Sequence, residues 1–397
     1  MTSKKINISK ILPIFMTFIV MGFVDIVGVS TGYVQKDFEL SDSLAQFIPS
    51  MVFIWFFFFS IPVGVLQDKI GKKKMMKIGI VITLFGLLLP FLNYSFVMIL
   101  TAFVFIGIGN TIVQVAANPL LQEITPKEKL SSFLSLSQFV KAITSLLGPI
   151  IATYMALQFG DWRLVFVVYA IVSLVSVFWL SATKIDETMK SDSAATFKSC
   201  IGLLNDRFIL VIVIAIFLIV GADVGMNSNI QGFLMKLHGL SLENASYGIS
   251  IYFMALMISR FSGAILLQFL KPIFFLSITA ILAMAGTLLL LFSSSEIMAL
   301  TAIFIIGLGA GNLFPLVFSI AINKMPSRAN EISGLLVMAI VGGAIIPPIM
   351  GIISSNFGVA GSISVLMFCF VFMLIIPLFR FNSDEVKETR NKLKVKS

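Results

Sequence analysis

Long apolar runs, separated by short polar breaks, occupy most of the chain. The twelve runs lie near residues 11–34, 44–66, 75–95, 97–121, 131–156, 162–183, 208–234, 243–270, 273–293, 296–322, 331–356 and 360–380. A helix needs about 20 apolar residues to cross the hydrocarbon core of a bilayer. Backbone groups in lipid must be hydrogen-bonded within the protein, so each run is predicted to be helical. The pattern predicts an all-α membrane protein with twelve transmembrane helices.

The two halves of the sequence repeat each other at an offset of 198–200 residues. The matched segments are Leu40-Ser41 with Leu240-Ser241, Ile106–Gly109 with Ile306–Gly309, Phe159-Gly160 with Phe357-Gly358, and Asp25 with Asp223. A nearly constant offset predicts two pseudo-symmetric six-helix bundles with a site between them. We place the N-terminal half at 1–183, a cytoplasmic linker at 184–206, the C-terminal half at 207–382 and a cytoplasmic tail at 383–397.

Composition and charge support this architecture. Hydrophobic residues make up 58% of the chain and charged residues 12%, too few to cover a water-soluble globule of this size. The net charge of +9 comes from basic residues in the breaks and at the ends, which argues against a nucleic-acid-binding face. With both termini inside, 23 of the 28 lysines and arginines fall in cytoplasmic segments and 3 in outer loops. This asymmetry predicts a multi-pass protein of the cytoplasmic (inner) membrane with both termini cytoplasmic.

Features of an enzyme are not evident in the sequence. The single histidine, His238, follows a predicted span, and the two cysteines, Cys200 and Cys369, are far apart. Neither a nucleophile–base set nor a cluster of metal ligands is suggested. A Walker-type phosphate loop is also missing from the sequence, so ATP-driven transport is not expected.

The break after the second run has a distinctive spacing. It carries Gly64, Asp68 and Gly71, followed by Lys72, Lys73 and Lys74. This segment resembles the signature loop of the major facilitator superfamily. We expect Gly64 to let neighbouring helices approach closely and Asp68 to pair with a basic group or a helix N-terminus at the cytoplasmic surface.

A narrower resemblance is to the fucose–galactose–glucose cation symporter family, whose best-known type is fucose permease. It is carried by the segments Val113–Pro119 (containing Ala-Ala-Asn-Pro), Val220–Asp223 with Ser259–Gly263, and Phe314–Ser319 with Val341–Ala344. The resemblance implies the major facilitator fold, sugar as substrate and a coupling role for the first-span aspartate. The family's fourth-span glutamate corresponds to Gln114, which does not titrate. This departure leaves both a proton and sodium open as the coupling ion.

Ionisable groups inside the spans are the strongest functional candidates. Asp25 and Asp223 are the carboxylates that fall well inside predicted spans, and buried acids in membranes usually serve a function. We predict that both couple cation movement, with Asp25 as the main group, binding either a proton or a sodium ion. Lys141 either pairs with a buried acid such as Asp25 or attracts an anionic substrate. Arg260 is predicted to be structural.

Amide side chains complete the predicted substrate site, because they both donate and accept hydrogen bonds, as sugar hydroxyls require. With Lys141, the candidates are Asn110, Gln114, Asn118, Gln138, Asn227, Gln231 and Asn312. The leading hypothesis is secondary active, cation-coupled uptake of a small sugar by alternating access. The alternatives are transport of an anionic sugar or other organic anion held by Lys141, and a membrane receptor that does not transport. Apart from the coupling ion no cofactor is expected, and the protein is expected to be a monomer in the lipid bilayer, without nucleic-acid partners.

Overall fold

In the computed structural model, the described residues are 8–124, 130–185, 187, 201–267, 269–325 and 328–378. They form α-helices, short 3-10 turns and tight connections. The helices of the N-terminal half are Ile8–Gly22, Val27–Asp37, Asp42–Ala45, Phe47–Ile70, Lys72–Leu92, Phe96–Ile124, Leu130–Phe159 and Leu164–Ala182. Those of the C-terminal half are Arg207–His238, Leu242–Leu266, Pro272–Leu291, Glu296–Ala310, Leu313–Lys324, Ala329–Met338 and Gly342–Ile375.

Ten stretches of the described chain are long and apolar enough to cross a membrane. One of them, Gly334–Ile375, covers 42 residues and is turned back at Gly358, where φ is 71° and ψ is −174°. It therefore contains two crossings. Leu242–Leu266 is a further helix of 25 residues, which suffices for one crossing. The chain thus has the predicted twelve membrane helices, hereafter spans 1 to 12.

The sequence repeat produces equivalent packing in both halves. The glycine pair of Ile106–Gly109 lets span 4 approach span 2: a Cβ on Gly107 would lie 2.2 Å from the Val52 carbonyl oxygen. The same element in span 10 approaches span 8, where a Cβ on Gly307 would lie 2.7 Å from the Tyr252 carbonyl oxygen. Close backbone approach through small residues is a usual means of packing helices in membranes.

Helix ends repeat as well. Ser41 and Ser241 each cap a helix, accepting from the amides of Leu44 and Asn244 at 3.4 and 3.3 Å. Gly160 and Gly358 both have a positive φ, 72° and 71°, in the connections before spans 6 and 12. Glycine suits this conformation because it carries no Cβ.

Most contacts between the halves run along three pairs of spans. Span 8 packs against span 5, span 11 against span 2, and span 7 against span 1. Span 1 is interrupted by the 3-10 turn Phe23–Ile26, which the apolar pattern did not predict. This turn lies beside spans 4 and 5 and contains Asp25.

Candidate functional site

Asp25 lies in the turn that breaks span 1, and its carboxylate faces span 5. The Ser145 hydroxyl donates to Asp25 Oδ2 at 2.5 Å, and Lys141 Nζ lies 4.0 Å from the same oxygen. The Asp25 and Lys141 side chains are 16% and 18% exposed. Lys141 and Ser145 are one helical turn apart, so both reach the same carboxylate. Of the two alternatives left open for Lys141, the geometry agrees with pairing to Asp25.

Backbone carbonyls around the break are hydrogen-bonded to amide side chains. Asn110 in span 4 donates to the Met21 carbonyl oxygen at 2.8 Å, and Asn227 in span 7 donates to the Asp25 carbonyl oxygen at 3.1 Å. A broken helix leaves carbonyls without their usual partners, and side-chain donors can satisfy them. In this conformation these two predicted substrate ligands are therefore buried and hold the turn.

The second acid, Asp223, belongs to the opposite half. The Tyr252 hydroxyl of span 8 donates to Asp223 Oδ1 at 2.6 Å. Arg260, Asp25 and Lys141 are the other charged groups whose fields act on Asp223. Asp223 therefore lies within electrostatic range of Asp25, although it belongs to the other half. Tyr252 was missed by the sequence analysis, since nothing in its spacing marks it as a carboxylate partner.

Arg260 and Asn312 bind within the C-terminal half. Span 10 is broken between Glu296–Ala310 and Leu313–Lys324, and Arg260 Nε donates to the Gly311 carbonyl oxygen in that break at 3.3 Å. Asn312 Nδ2 donates to the Ser259 carbonyl and hydroxyl oxygens at 2.6 and 2.8 Å. Both side chains hold span 10 to span 8, which agrees with the structural role predicted for Arg260.

The other predicted substrate ligands occupy different settings. Gln231 is buried and donates to Ser246 Oγ at 2.6 Å, whereas Gln114 and Gln138 are only partly buried on spans 4 and 5. Asn118 lies in the helix Phe96–Ile124, and its side chain is outside the described part of the structure. Among the described amides predicted to bind substrate, Gln114 and Gln138 are thus the ones that are not fully buried.

The loop after span 2 is fastened to the end of span 6. Gly71 has a φ of 93°, which favours glycine, and it ends the helix Phe47–Ile70. The Glu187 carboxylate accepts from the amides of Lys72 and Lys73 at 2.5 and 3.2 Å, at the N-terminus of span 3. Lys73 Nζ donates to the Thr183 carbonyl oxygen at 2.7 Å. The carboxylate is stabilised there by the helix dipole.

The expectations for Gly64 and Asp68 in this loop have different outcomes. The close approach expected at Gly64 is not present in this conformation, because a Cβ there would meet no described atom within 4 Å. The Asp68 side chain lies outside the described part of the structure.

At the end of the spans opposite the loop 64–71, which is called the outer side below, polar contacts join the two halves. Asp42 pairs with Lys236 and accepts from Ser354 Oγ at 2.8 Å. Deeper in the interface, Ser228 Oγ donates to Gln46 Oε1 at 2.9 Å. Further contacts of this kind are Lys36–Glu243 at 3.6 Å, Ser43–Ser355 at 3.2 Å, Asn229–Gln46 at 3.2 Å and Ser50 to the Ala344 carbonyl at 2.5 Å. Together they close the outer side of the interface between the halves.

The outer rim of the N-terminal half carries a separate ion pair. Arg163 donates from Nε and Nη2 to the two oxygens of Asp161 at 2.8 and 2.7 Å, and its guanidinium lies 4.1 Å from the centre of the Tyr94 ring. Burial raises the pKa of Asp161, but the hydrogen bonds and charge of Arg163 lower it more, so that pKa lies below its usual range. The hydrogen bond to Asp161 likewise raises the pKa of Arg163.

Comparison with known proteins places this geometry in context. Residues 14–340 match the sequence profile of the Major Facilitator Superfamily. The chain is 24% identical to a glucose/galactose transporter of Brucella abortus over 379 residues, covering 91% of this chain and 92% of that one. It is 22% identical to the L-fucose-proton symporter of Escherichia coli, covering 87% of each.

Solved structures with the same fold include proteins in two conformations. The E. coli fucose symporter FucP in the outward conformation superposes with a TM-score of 0.72 at 21% identity, over 96% of this chain and 100% of that one. A bacterial homologue of the lysosomal transporter Spinster, in an inward-facing and occupied conformation, gives 0.71 at 17% identity, over 94% and 95%. These similarities establish the twelve-helix architecture.

Proposed function

The chain belongs to the Major Facilitator Superfamily, and from that premise we propose that it is a secondary active transporter for cation-coupled uptake of a small sugar. The observation that carries the proposal is the presence of an intramembrane acid with polar partners in each half, Asp25 in span 1 and Asp223 in span 7. Asp25 is held by Ser145 and Lys141, and Asp223 by Tyr252. Intramembrane acids are costly and typically belong to ion or substrate pathways.

Relatives over nearly the full length support a sugar as substrate. The matches named for glucose/galactose and L-fucose transport cover 87–92% of their own chains. Gln114 and Gln138 belong to spans 4 and 5, which pack beside the turn that contains Asp25, and amides suit sugar hydroxyls because they donate and accept. Asn110, Asn118, Asn227, Gln231 and Asn312 remain proposed ligands for conformations in which the halves have moved apart.

Lys141 favours a neutral over an anionic sugar in this proposal. Its ammonium group already has a carboxylate partner in Asp25. An anionic substrate would have to replace that partner and leave Asp25 as an uncompensated charge, which is costly in a low-dielectric setting. We therefore treat Lys141 as part of the coupling site, with Asp25 and Asp223, more than as a substrate ligand.

Transport would proceed by rocking of the two halves, here taken as 1–183 and 207–382 with both termini cytoplasmic. The outer contacts of Asp42 and Gln46 stabilise the conformation closed to the outside. Breaking them would open the site to external sugar and cation, and reforming them would commit both to the cytoplasmic side. The loop Gly64–Gly71 and the linker 184–206 would guide this motion at the inner surface.

The test is uptake by purified protein in liposomes, with neutral and acidic sugars, under an imposed proton or sodium gradient. We expect a neutral hexose or deoxyhexose to accumulate, and Asp25→Asn to lower accumulation by at least about tenfold, a typical size of coupling free energies. Asp25→Asn should retain exchange of sugar across the membrane. The matched control is Asp161→Asn, which changes a carboxylate outside the spans. If no sugar accumulates under either gradient, the proposal is wrong.

A further inference from the structure

Sodium is one of the two coupling ions left open at Asp25, and this site has features that would attract it. Sodium sites in transporters commonly combine a carboxylate with carbonyl oxygens of an unwound helix. Span 1 supplies both, because Asp25 lies in the 3-10 turn that separates Ile8–Gly22 from Val27–Asp37. The surroundings of this turn decide whether those oxygens are available to a cation.

The carboxylate already has a cation beside it. Lys141 Nζ lies 4.0 Å from Asp25 Oδ2, and Ser145 Oγ donates to the same oxygen. A sodium ion bound to this oxygen would lie within a few ångströms of the ammonium group. Two unit charges about 4 Å apart repel each other strongly unless water separates them. Lys141 thus already supplies the positive charge beside Asp25 that a bound sodium ion would otherwise supply.

The carbonyl oxygens of the turn are also engaged, and by donors instead of a cation. Asn110 donates to the Met21 carbonyl and Asn227 to the Asp25 carbonyl, at 2.8 and 3.1 Å. The Val27 amide donates to the carbonyls of Asp25 and Val24. With two donors the Asp25 carbonyl has no lone pair left for a cation, and this loss adds to the effect of the Lys141 charge.

Charge balance points the same way. Asp25 and Asp223 are matched by Lys141 and Arg260, the charged groups that act on Asp223 in this region. An added sodium ion would leave one uncompensated positive charge between the halves. Uncompensated charges inside a membrane protein are strongly unfavourable. The residues present therefore do not fit sodium at Asp25.

We propose that Lys141 determines ion selectivity: its ammonium group is the built-in counter-cation of Asp25 and excludes sodium from the site. The consequence of sodium exclusion for transport coupling rests on the proposed function. The exclusion itself is a binding property of the protein without sugar, so it can fail or succeed separately.

The expected size follows from the separation of the charges. For charges about 4 Å apart, an effective dielectric constant of about 20 gives a repulsion that weakens sodium binding by about 1,000-fold. If the dielectric constant is about 40, as for a partly exposed group, the repulsion weakens sodium binding by about 30-fold. Removing the charge of Lys141 should recover sodium affinity by a factor in this range.

The experiment measures thermal unfolding of the full chain in detergent, in sodium chloride against choline chloride at constant ionic strength. A ligand that binds the folded state raises the unfolding temperature according to its affinity. Wild type and Lys141→Arg should show no sodium-specific stabilisation. Lys141→Gln should be stabilised by sodium. The sodium concentration that gives half of this stabilisation should be about 30- to 1,000-fold below the concentration at which the wild type would begin to bind sodium. Adding Asp25→Asn to Lys141→Gln should abolish the effect.

Two results would overturn the inference. One is sodium stabilisation of the wild type that Asp25→Asn removes. The other is a folded Lys141→Gln protein without any sodium response. If Lys141→Gln does not unfold cooperatively, Lys141→Asn takes its place as the neutral variant, and the wild-type comparison is decisive by itself. Sugar uptake is not needed in any arm, so a wrong substrate assignment would not affect the result.

Discussion

Gly28 provides a direct test of how the outer side of the interface closes. It lies in span 1 of the N-terminal half, facing Asn227 in span 7 of the other half. A Cβ at Gly28 would lie 1.9 Å from Asn227 Oδ1 and 2.7 Å from its carbonyl oxygen. Asn227 is held by its bond to the Asp25 carbonyl, and its own carbonyl belongs to a helix. Gly28→Ala must therefore push the two spans apart.

The cost of this change falls on one conformation. Overpacking a close contact typically costs about 1–3 kcal/mol. Because the contact crosses between the halves, the fold within each half is not affected, and the cost is confined to the state in which the outer side is closed. A shift of about 2 kcal/mol changes the ratio of closed to open protein by about 30-fold.

The reporter for opening is Ser50, which is 9% exposed and donates to the Ala344 carbonyl across the interface. In a Ser50→Cys, Cys200→Ser background, the remaining natural cysteine, Cys369, is buried. Labelling by a membrane-impermeant maleimide then measures how often the outer side opens. We expect Gly28→Ala to raise the labelling rate by about 30-fold, within a range of about 5- to 150-fold.

The matched control is Gly232→Ala. Gly232 is in the same span as Asn227, but a Cβ there would meet no described atom within 4 Å. This variant should label at the rate of the parent protein. Equal labelling of the Gly28 and Gly232 variants would refute the idea that close approach at Gly28 stabilises the closed outer side.

Two further predictions concern the ends of helices. Gly71→Ala should lower the stability of the protein by about 1–2 kcal/mol, because the φ of 93° at this position is unfavourable for residues with a Cβ. Unfolding temperatures in detergent, compared with those of Gly232→Ala, would measure the loss, and unchanged stability would contradict the prediction. The pKa of Asp161 lies below 3.8 in the folded protein, so its pairing with Arg163 stabilises the fold above about pH 4, and this contribution is lost as the pH falls through the folded value. Asp161→Asn should remove that part of the acid sensitivity in unfolding curves between about pH 2.5 and pH 6, and curves parallel to the wild type would exclude the pair as its source.

The fold could be predicted nearly in full because its signals are local. The twelve apolar runs correspond to the twelve spans, and the repeated serine and glycine positions have equivalent places in both halves, whereas Asp25 lies in a 3-10 turn and Asp223 in a continuous helix. What could not be predicted are the breaks at Phe23–Ile26 and around Gly311 and Asn312. Apolar content is the same in a continuous and an interrupted span, so hydropathy does not detect them.

The candidate site was predicted in type but not in arrangement. Asp25, Asp223 and Lys141 stand out in the sequence because charged residues are rare in spans. The amides carry no comparable signal, and Asn110 and Asn227 are bonded to backbone carbonyls in this conformation. Gly64 shows the converse: it fits a motif, but among the described residues no atom lies within 4 Å of where its Cβ would be.

The sequence by itself determined the class of protein, the number of spans, the pseudo-symmetry and which acids lie inside the spans. Each of these depends on the transfer of a single segment into lipid, or on positions repeated along the chain. Only the tertiary structure decided which groups meet. Ser145 reaches Asp25 across 120 residues of sequence, and Asn227 reaches it across 202. Such contacts depend on how whole helices pack, and the packing energy is shared among many small contacts that no single segment encodes.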